Sequence, residues 1–182
     1  MTDTLEFREF QKIARLSREM IVTEKIDGTN GVIAIGQDGE FQVGSKSRFI
    51  APEQDNFGFA KWAYENKEEL MQLGAGFHYG EWWGYGIQRG YGLKEKRFSL
   101  FNTSRWTDDA VRPACCHVVP VLYIGMFDTR AIQYQLEVLA TGGSIAAPGF
   151  MKPEGVIVFH PQSRYFFKKT IEKDELHKGE VR

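Results

Sequence analysis

Hydrophobic and polar positions along this chain predict many short strands, broken by turns, with helices in only a few places. Residues 6–16 set Phe7, Phe10, Ile13, Ala14 and Leu16 close to helical spacing, with Thr4 as a candidate cap, and predict a packing helix. Residues 22–26 form a β-branched run that ends at the turn pair Asp27-Gly28. A second apolar run at 32–35 follows, so the pattern predicts a hairpin. Residues 41–44 alternate like a strand. Residues 56–73 carry the strongest helical stripe, from Phe59 through Trp62 to Leu73. Glu65, Lys67, Glu68 and Glu69 lie off that stripe, and Gly74 and Gly76 stop it. Aromatic strands are predicted at 77–84 and 96–102, and a strand interrupted by Pro120 at 118–124. Thr129 is a candidate N-cap for a helix reaching about Leu139, with Gly142-Gly143 as its stop. Strands at 155–159 and 165–170 close the pattern, and the charged end from Glu172 on reads as a short helix or a tail.

Composition narrows the class. The 182 residues, 42% hydrophobic and 14% aromatic, suffice for one domain with a real core. A net charge of -1 argues against bulk, non-specific nucleic-acid binding but leaves room for a local basic groove. No apolar run approaches membrane-spanning length, so no membrane role is expected. Cys115 and Cys116 are adjacent and have no zinc-ligand spacing, even with His117 beside them. They read as reduced thiols of an intracellular, cytoplasmic protein.

The densest candidate chemistry lies in Thr23-Glu24-Lys25-Ile26-Asp27-Gly28-Thr29-Asn30. Its lysine sits where a strand enters a turn and can be held rigidly. A lysine amine attacks only when neutral, a form that burial or cationic neighbours favour. Asp27 and Asn30 can hydrogen-bond a ligand, and Gly28 lets one approach the backbone. Ser45-Lys46-Ser47-Arg48 crowds two cations at a strand end, where Arg48 can grip phosphate or carboxylate, or simply face water. Glu81 lies among aromatics, and burial there requires a partner: a ribose hydroxyl, a lysine or a metal. The glycine-rich residues 84–92 either cradle phosphate or form a flexible loop, and Gln88 and Arg89 can meet a nucleic-acid backbone. Phe98 and Phe101 serve either the core or a base stack. Glu154 precedes a buried strand. Lys168 and Lys169 are neighbours on a strand and so point to opposite faces.

Taken in order, Lys25-Ile26-Asp27-Gly28-Thr29-Asn30, the Ser-Lys-Ser-Arg block, the Glu81 strand, Phe98-Ser99-Leu100-Phe101, Glu154-Gly155-Val156-Ile157 and the Lys168-Lys169 strand resemble the covalent nucleotidyltransferases. This superfamily comprises ATP-dependent ligases and mRNA capping enzymes. Glu24 directly before the lysine, with Asn30 closing the motif, resembles the RNA ligase 2 branch. DNA ligases usually end that motif in arginine and set the glutamate one residue further back. The resemblance runs from Thr23 to Thr170. It implies an α+β, ATP-grasp-like nucleotidyltransferase domain, with antiparallel sheets packed face to face, helices outside and the nucleotide between. It also implies Lys25 as nucleophile, with Lys168 and Glu154 as its catalytic companions. The implied ATP contacts are Glu24, Lys25, Ile26, Asn30, Arg48, Glu81, Phe101, Glu154, Lys168 and, in a weaker place, Lys169. Within that set Glu24 accepts from the exocyclic amine of adenine, and Phe101 stacks on the purine with Phe98 in reserve. Glu154 and Glu81 are implied to hold Mg²⁺ or Mn²⁺, and Arg48, Lys46, Gln88 and Arg89 the RNA end. The chain departs from the family at Asn102, where an aspartate is usual, and in its adjacent lysines, where the family has K-x-K.

The expected activity is therefore ATP-dependent RNA sealing through a lysyl-AMP intermediate, joining a 5′-phosphate to a 3′-hydroxyl. The rival readings are a DNA ligase, a capping-type guanylyltransferase and a non-catalytic module that binds nucleotide or RNA ends. Residues 1–182 are expected to form a single adenylylation domain. No OB-fold or other C-terminal domain is expected after the last motif, so RNA docking would call on a partner protein.

Overall fold

The computed structural model describes residues 6–175. Two sheets carry the fold. The strands β1 (Glu19–Lys25), β8 (Val121–Met126), β9 (Gly155–His160) and β10 (Tyr165–Thr170) form a four-stranded antiparallel sheet in the order β10-β9-β1-β8. The strands β2 (Thr29–Ile35), β3 (Phe41–Gly44), β4 (Phe49–Ile50), β5 (Gly76–Gly84), β6 (Lys96–Leu100) and β7 (Cys116–Val118) form a six-stranded sheet in the order β4-β3-β2-β5-β6-β7. Among the described residues, only β6 and β7 pair in parallel.

The lysine turn is the main topological correction. β1 and β2 are not a hairpin: β1 lies between β8 and β9, whereas β2 lies between β3 and β5. Residues Ile26 to Gly28 therefore carry the chain from one sheet to the other. The return crossing, at Val119-Pro120, separates β7 from β8, and Pro120 O accepts from Glu24 N–H at 3.0 Å. Proline cannot donate to a ladder, so the expected single strand splits there.

Each sheet is covered on one side. Helix α1 (Phe59–Glu65), the short α2 (Lys67–Leu70) and a 3₁₀ turn at Met71–Leu73 cover the six-stranded sheet. Phe59, Ala63, Leu70 and Leu73 pack there on Ile33, Val43, Trp82, Phe98 and Leu100. The expected continuous helix breaks at Asn66, whose Nδ2 donates to Trp62 O at 2.8 Å, and its end turns at Gly74, φ 77°. After a one-turn helix, α3 (Thr103–Trp106), and the return crossing comes α4 (Thr129–Gly142). It buries Ile132, Leu136 and Leu139 against Met20, Val22, Val156 and Val158 of the four-stranded sheet. Its cap is Asp128, accepting from Arg130 N–H, rather than Thr129.

Residues 6–16 contain no helix. Phe7, Phe10 and Ile13 are exposed, so the periodic stripe finds no face to pack on. A segment of that length is marginal as a helix without such packing. Thr4, its expected cap, lies outside the described residues, as does the end of the charged tail.

Candidate active site

The uncovered faces of the two sheets meet at the Ile26–Gly28 crossing. Strand alternation puts Lys25, Thr23 and Ile21 on the face of β1 opposite its helix-packed side, beside Gly155, Ile157 and Phe159 of β9. The Lys25 ammonium contacts Glu154 Oε2. Both side chains are largely buried, and that oxygen has no hydrogen bond of sound geometry. Across the crossing, Glu81 of β5 pairs with Asn30 of β2. Its Oε1 accepts from Gly28 N–H at 3.0 Å. Gly28 is required there because a Cβ would stand 2.4 Å from Trp82 O and 2.7 Å from Trp83 Cβ. Burial pushes the Glu81 carboxyl up to about 7; Lys25 and the Gly28 amide pull it down, while Glu154 and Asp27 push it up.

A strap from the glycine-rich connection fixes the same crossing. Tyr91 Oη accepts from Asp27 N–H at 2.8 Å. Arg89 Nε donates to Asp27 Oδ2 at 3.0 Å, and its Nη1 to Lys152 O at 3.0 Å. Tyr91 is buried with Ile26, Trp83, Val119 and Ala147 in a small core beneath the crossing. Burial raises its phenol well above the usual range.

A profile of the RNA ligase family, described as "RNA ligase", matches residues 18–173. The chain belongs to the RNA ligase family. Among curated proteins, none matches it. Solved structures of Naegleria gruberi RNA ligase share its fold. An arginine-to-alanine variant with ATP and Mn superposes with a TM-score of 0.64 at 22% identity, over 86% of this chain and 51% of that one. A glutamate-to-alanine variant with AMP and Mn gives 0.62 at 22% identity, over 84% and 49%. The chain thus spans about half the length of those ligase structures.

Within this RNA ligase fold, the structure brings Lys25, Glu154, Glu81 and Asn30 together at the crossing. Lys168 lies on the same face as Lys25, in line with Ile157 and Thr23. Phe101 follows β6, and its N–H donates to Tyr79 O at 3.0 Å; alternation places it on the Glu81 face, half-exposed, while Phe98 is core. Lys46 and Arg48 are exposed in the turn between β3 and β4.

Three expectations need correcting and a fourth, at Ile26, narrows. The Glu24 carboxylate does not face an open cleft. It is 1% exposed and accepts from Ser144 Oγ at 2.6 Å, Ile145 N at 2.8 Å and Ala146 N at 2.9 Å. Burial still raises its pKa against those donors. Lys169 points to the α4 side and pairs with Asp174 at 3.8 Å, as alternation after Lys168 requires. Arg89 is committed to Asp27 and Lys152 rather than free for an RNA end, whereas Gln88 is exposed in the turn before it. The Ile26 side chain is core, so only its backbone can meet a ligand.

Among the described residues, no three His, Cys, Asp or Glu side chains form a metal cage. Glu154, whose buried Oε2 has the Lys25 ammonium as its contact and no hydrogen bond of sound geometry, and Glu81 nonetheless suit a hard cation that keeps several waters and binds through one or two carboxylates and substrate phosphates. Tyr91 and Arg89 as supports of the crossing, and Ser144 as the partner of Glu24, were missed because each contact joins residues 62 or more positions apart. The available signal was an aromatic and a cation inside a glycine-rich run.

Proposed function

We propose that this chain is an ATP-dependent RNA ligase that works through a lysyl-adenylate. The observation that carries this reading is the contact of Lys25 with Glu154 at the sheet crossing, opposite Glu81. The Lys25 amine attacks the α-phosphorus of ATP, a P–N bond forms, and pyrophosphate leaves with the bonding pair of the broken P–O bond. Before attack the Lys25 ammonium gives one proton to Glu154, the carboxylate it touches, and the proton released as the P–N bond forms leaves with pyrophosphate. Lys168 offsets charge on the phosphates, and Phe101 offers a ring to the purine. Mg²⁺ or Mn²⁺ held by Glu154 and Glu81, partly through water, would neutralise phosphate charge. AMP then passes to an RNA 5′-phosphate, and a 3′-hydroxyl displaces it to seal the strand. Because Glu24 is engaged with Ser144 and its neighbours, the choice of adenine over guanine falls to backbone and ring contacts in the cleft. A partner protein would supply whatever RNA-docking surface this chain does not, and the free thiols suit a reducing, cytoplasmic setting.

The test is intact mass after incubation with Mg²⁺ and ATP, or with GTP, beside a Lys25→Ala control. A gain of one AMP from ATP only, absent in the control, is the expected result. A GMP adduct would move the reading to capping chemistry. A folded, unmodified protein without an adduct under either condition would leave the non-catalytic end-binding module.

A further inference from the structure

The uncovered face of the six-stranded sheet continues outward from Glu81, and it is aromatic. Phe77 and Tyr79 precede Glu81 on β5 by four and two residues, so all three side chains share one face. They are 61% and 56% exposed, with ring centroids 6.3 Å apart and planes only 19° from parallel. Phe101 adjoins Tyr79 on one side. On the other side Val32 pairs with Tyr79 and Gly44 with Val32, and a Cβ on Gly44 would lie 3.6 Å from Phe49, itself 55% exposed. Phe49 follows Lys46 and Arg48 in the exposed β3–β4 turn.

The opposite face of these strands is fully used by α1, α2 and the aromatic core. An uncovered sheet face normally carries polar residues. Here it carries four partly or largely exposed rings, bordered by two cations and continuous with the candidate active site. Parallel rings on a sheet, spaced by two strand residues, form the surface on which unpaired bases stack one after another. Duplex bases, already stacked on each other, cannot use it.

We propose that Phe77 and Tyr79, extended by Phe49, form a stacking platform for unpaired nucleotides next to the RNA end being joined, with Lys46 and Arg48 on the phosphates. This rests on the ligase reading above and adds a substrate class to it: ends with a single-stranded segment of at least two bases.

The experiment measures binding of a 5′-phosphorylated single-stranded RNA, and of a blunt duplex of the same sequence, to wild type and to Phe77→Ser/Tyr79→Ser. Lysyl-adenylate formation is measured in parallel. Stacking of two bases predicts a loss of affinity for the single strand of about tenfold or more. Duplex affinity and adenylate formation stay unchanged, and Phe77→Tyr/Tyr79→Phe restores single-strand binding. Unchanged single-strand affinity, or an equal loss for duplex, overturns the platform. So does a change in oligomeric state without a change in RNA affinity, which would make the face a protein contact. If the double variant melts early, Phe77→Ser and Tyr79→Ser are read singly. Failure of wild type to form the adenylate would count against the ligase reading alone, because the binding comparison does not depend on it.

Discussion

At the scale of one residue, Glu81 is a carboxyl that burial penalises. Its carboxyl is held near Lys25 but also near Glu154 and Asp27, and burial lifts it from 4.5 to about 7. The sign follows from proton counting. Between those two values the folded protein keeps a proton that the unfolded chain has released, so stability falls as pH rises through that window and is level above it. Glu81→Gln keeps an acceptor for Gly28 N–H and removes the charge. Denaturant unfolding of the nucleotide-free, cation-free protein should therefore show wild type losing stability relative to Glu81→Gln from about pH 4.5 to 7. A gap between the two that does not change with pH would mean that the carboxylate is well solvated or fully paired. The same residue explains why the site suits a cation: a bound positive charge favours the form that burial penalises.

The connection between β5 and β6 acts, at the scale of the element, as a strap on the lysine turn. Tyr91 and Arg89 hold Asp27, two residues from Lys25, and neither is read as touching nucleotide. Tyr91→Phe leaves the Asp27 amide without its acceptor, which should cost about 1–3 kcal/mol of stability. It should also slow adenylate formation while leaving the KM for ATP unchanged, since the strap aims the lysine rather than binding its substrate. A raised KM at constant kcat would place the phenol against the nucleotide instead. This element also marks the limit of what the sequence discloses. The placing of Lys25, Glu81 and Lys168 on the faces that meet at the crossing was legible because they sit in short ordered motifs on strands whose side-chain alternation could be counted, with Glu154 just ahead of such a strand. The strap was not, since glycine-rich composition is shared by phosphate cradles and by turns, and only the fold shows where Tyr91 reaches. Similarly, the period of residues 6–16 was readable, but whether any surface would accept that stripe was not. The lysine turn read as a hairpin because turn chemistry specifies a change of direction, not which sheet receives the next strand.

At the scale of the whole molecule, two sheets with separate cores are joined where the chain crosses at Ile26–Gly28 and returns at Val119-Pro120, over the shared cluster of Ile26, Trp83, Tyr91, Val119 and Ala147. The lysine thus stands on the seam between two independently packed layers, a position that fixes it against both. Under the proposed ligase reading, the net charge of -1 constrains how such a body would hold RNA. With no broad basic field, binding has to come from a few phosphate contacts and from stacking. Lys46, Arg48 and Lys168 are exposed cations that border the uncovered faces. Three phosphate contacts on a single strand correspond to a slope of roughly −2 in log affinity against log salt. Stacking contributes affinity without steepening that slope. A titration of single-stranded RNA across a range of salt concentrations should therefore give a shallow line near that value, and Arg48→Ala should flatten it by a little under one unit without abolishing binding. A slope steeper than about −4 would require a wider basic surface than these three residues provide. In that case affinity would be mainly electrostatic, and the exposed rings would not be its main source.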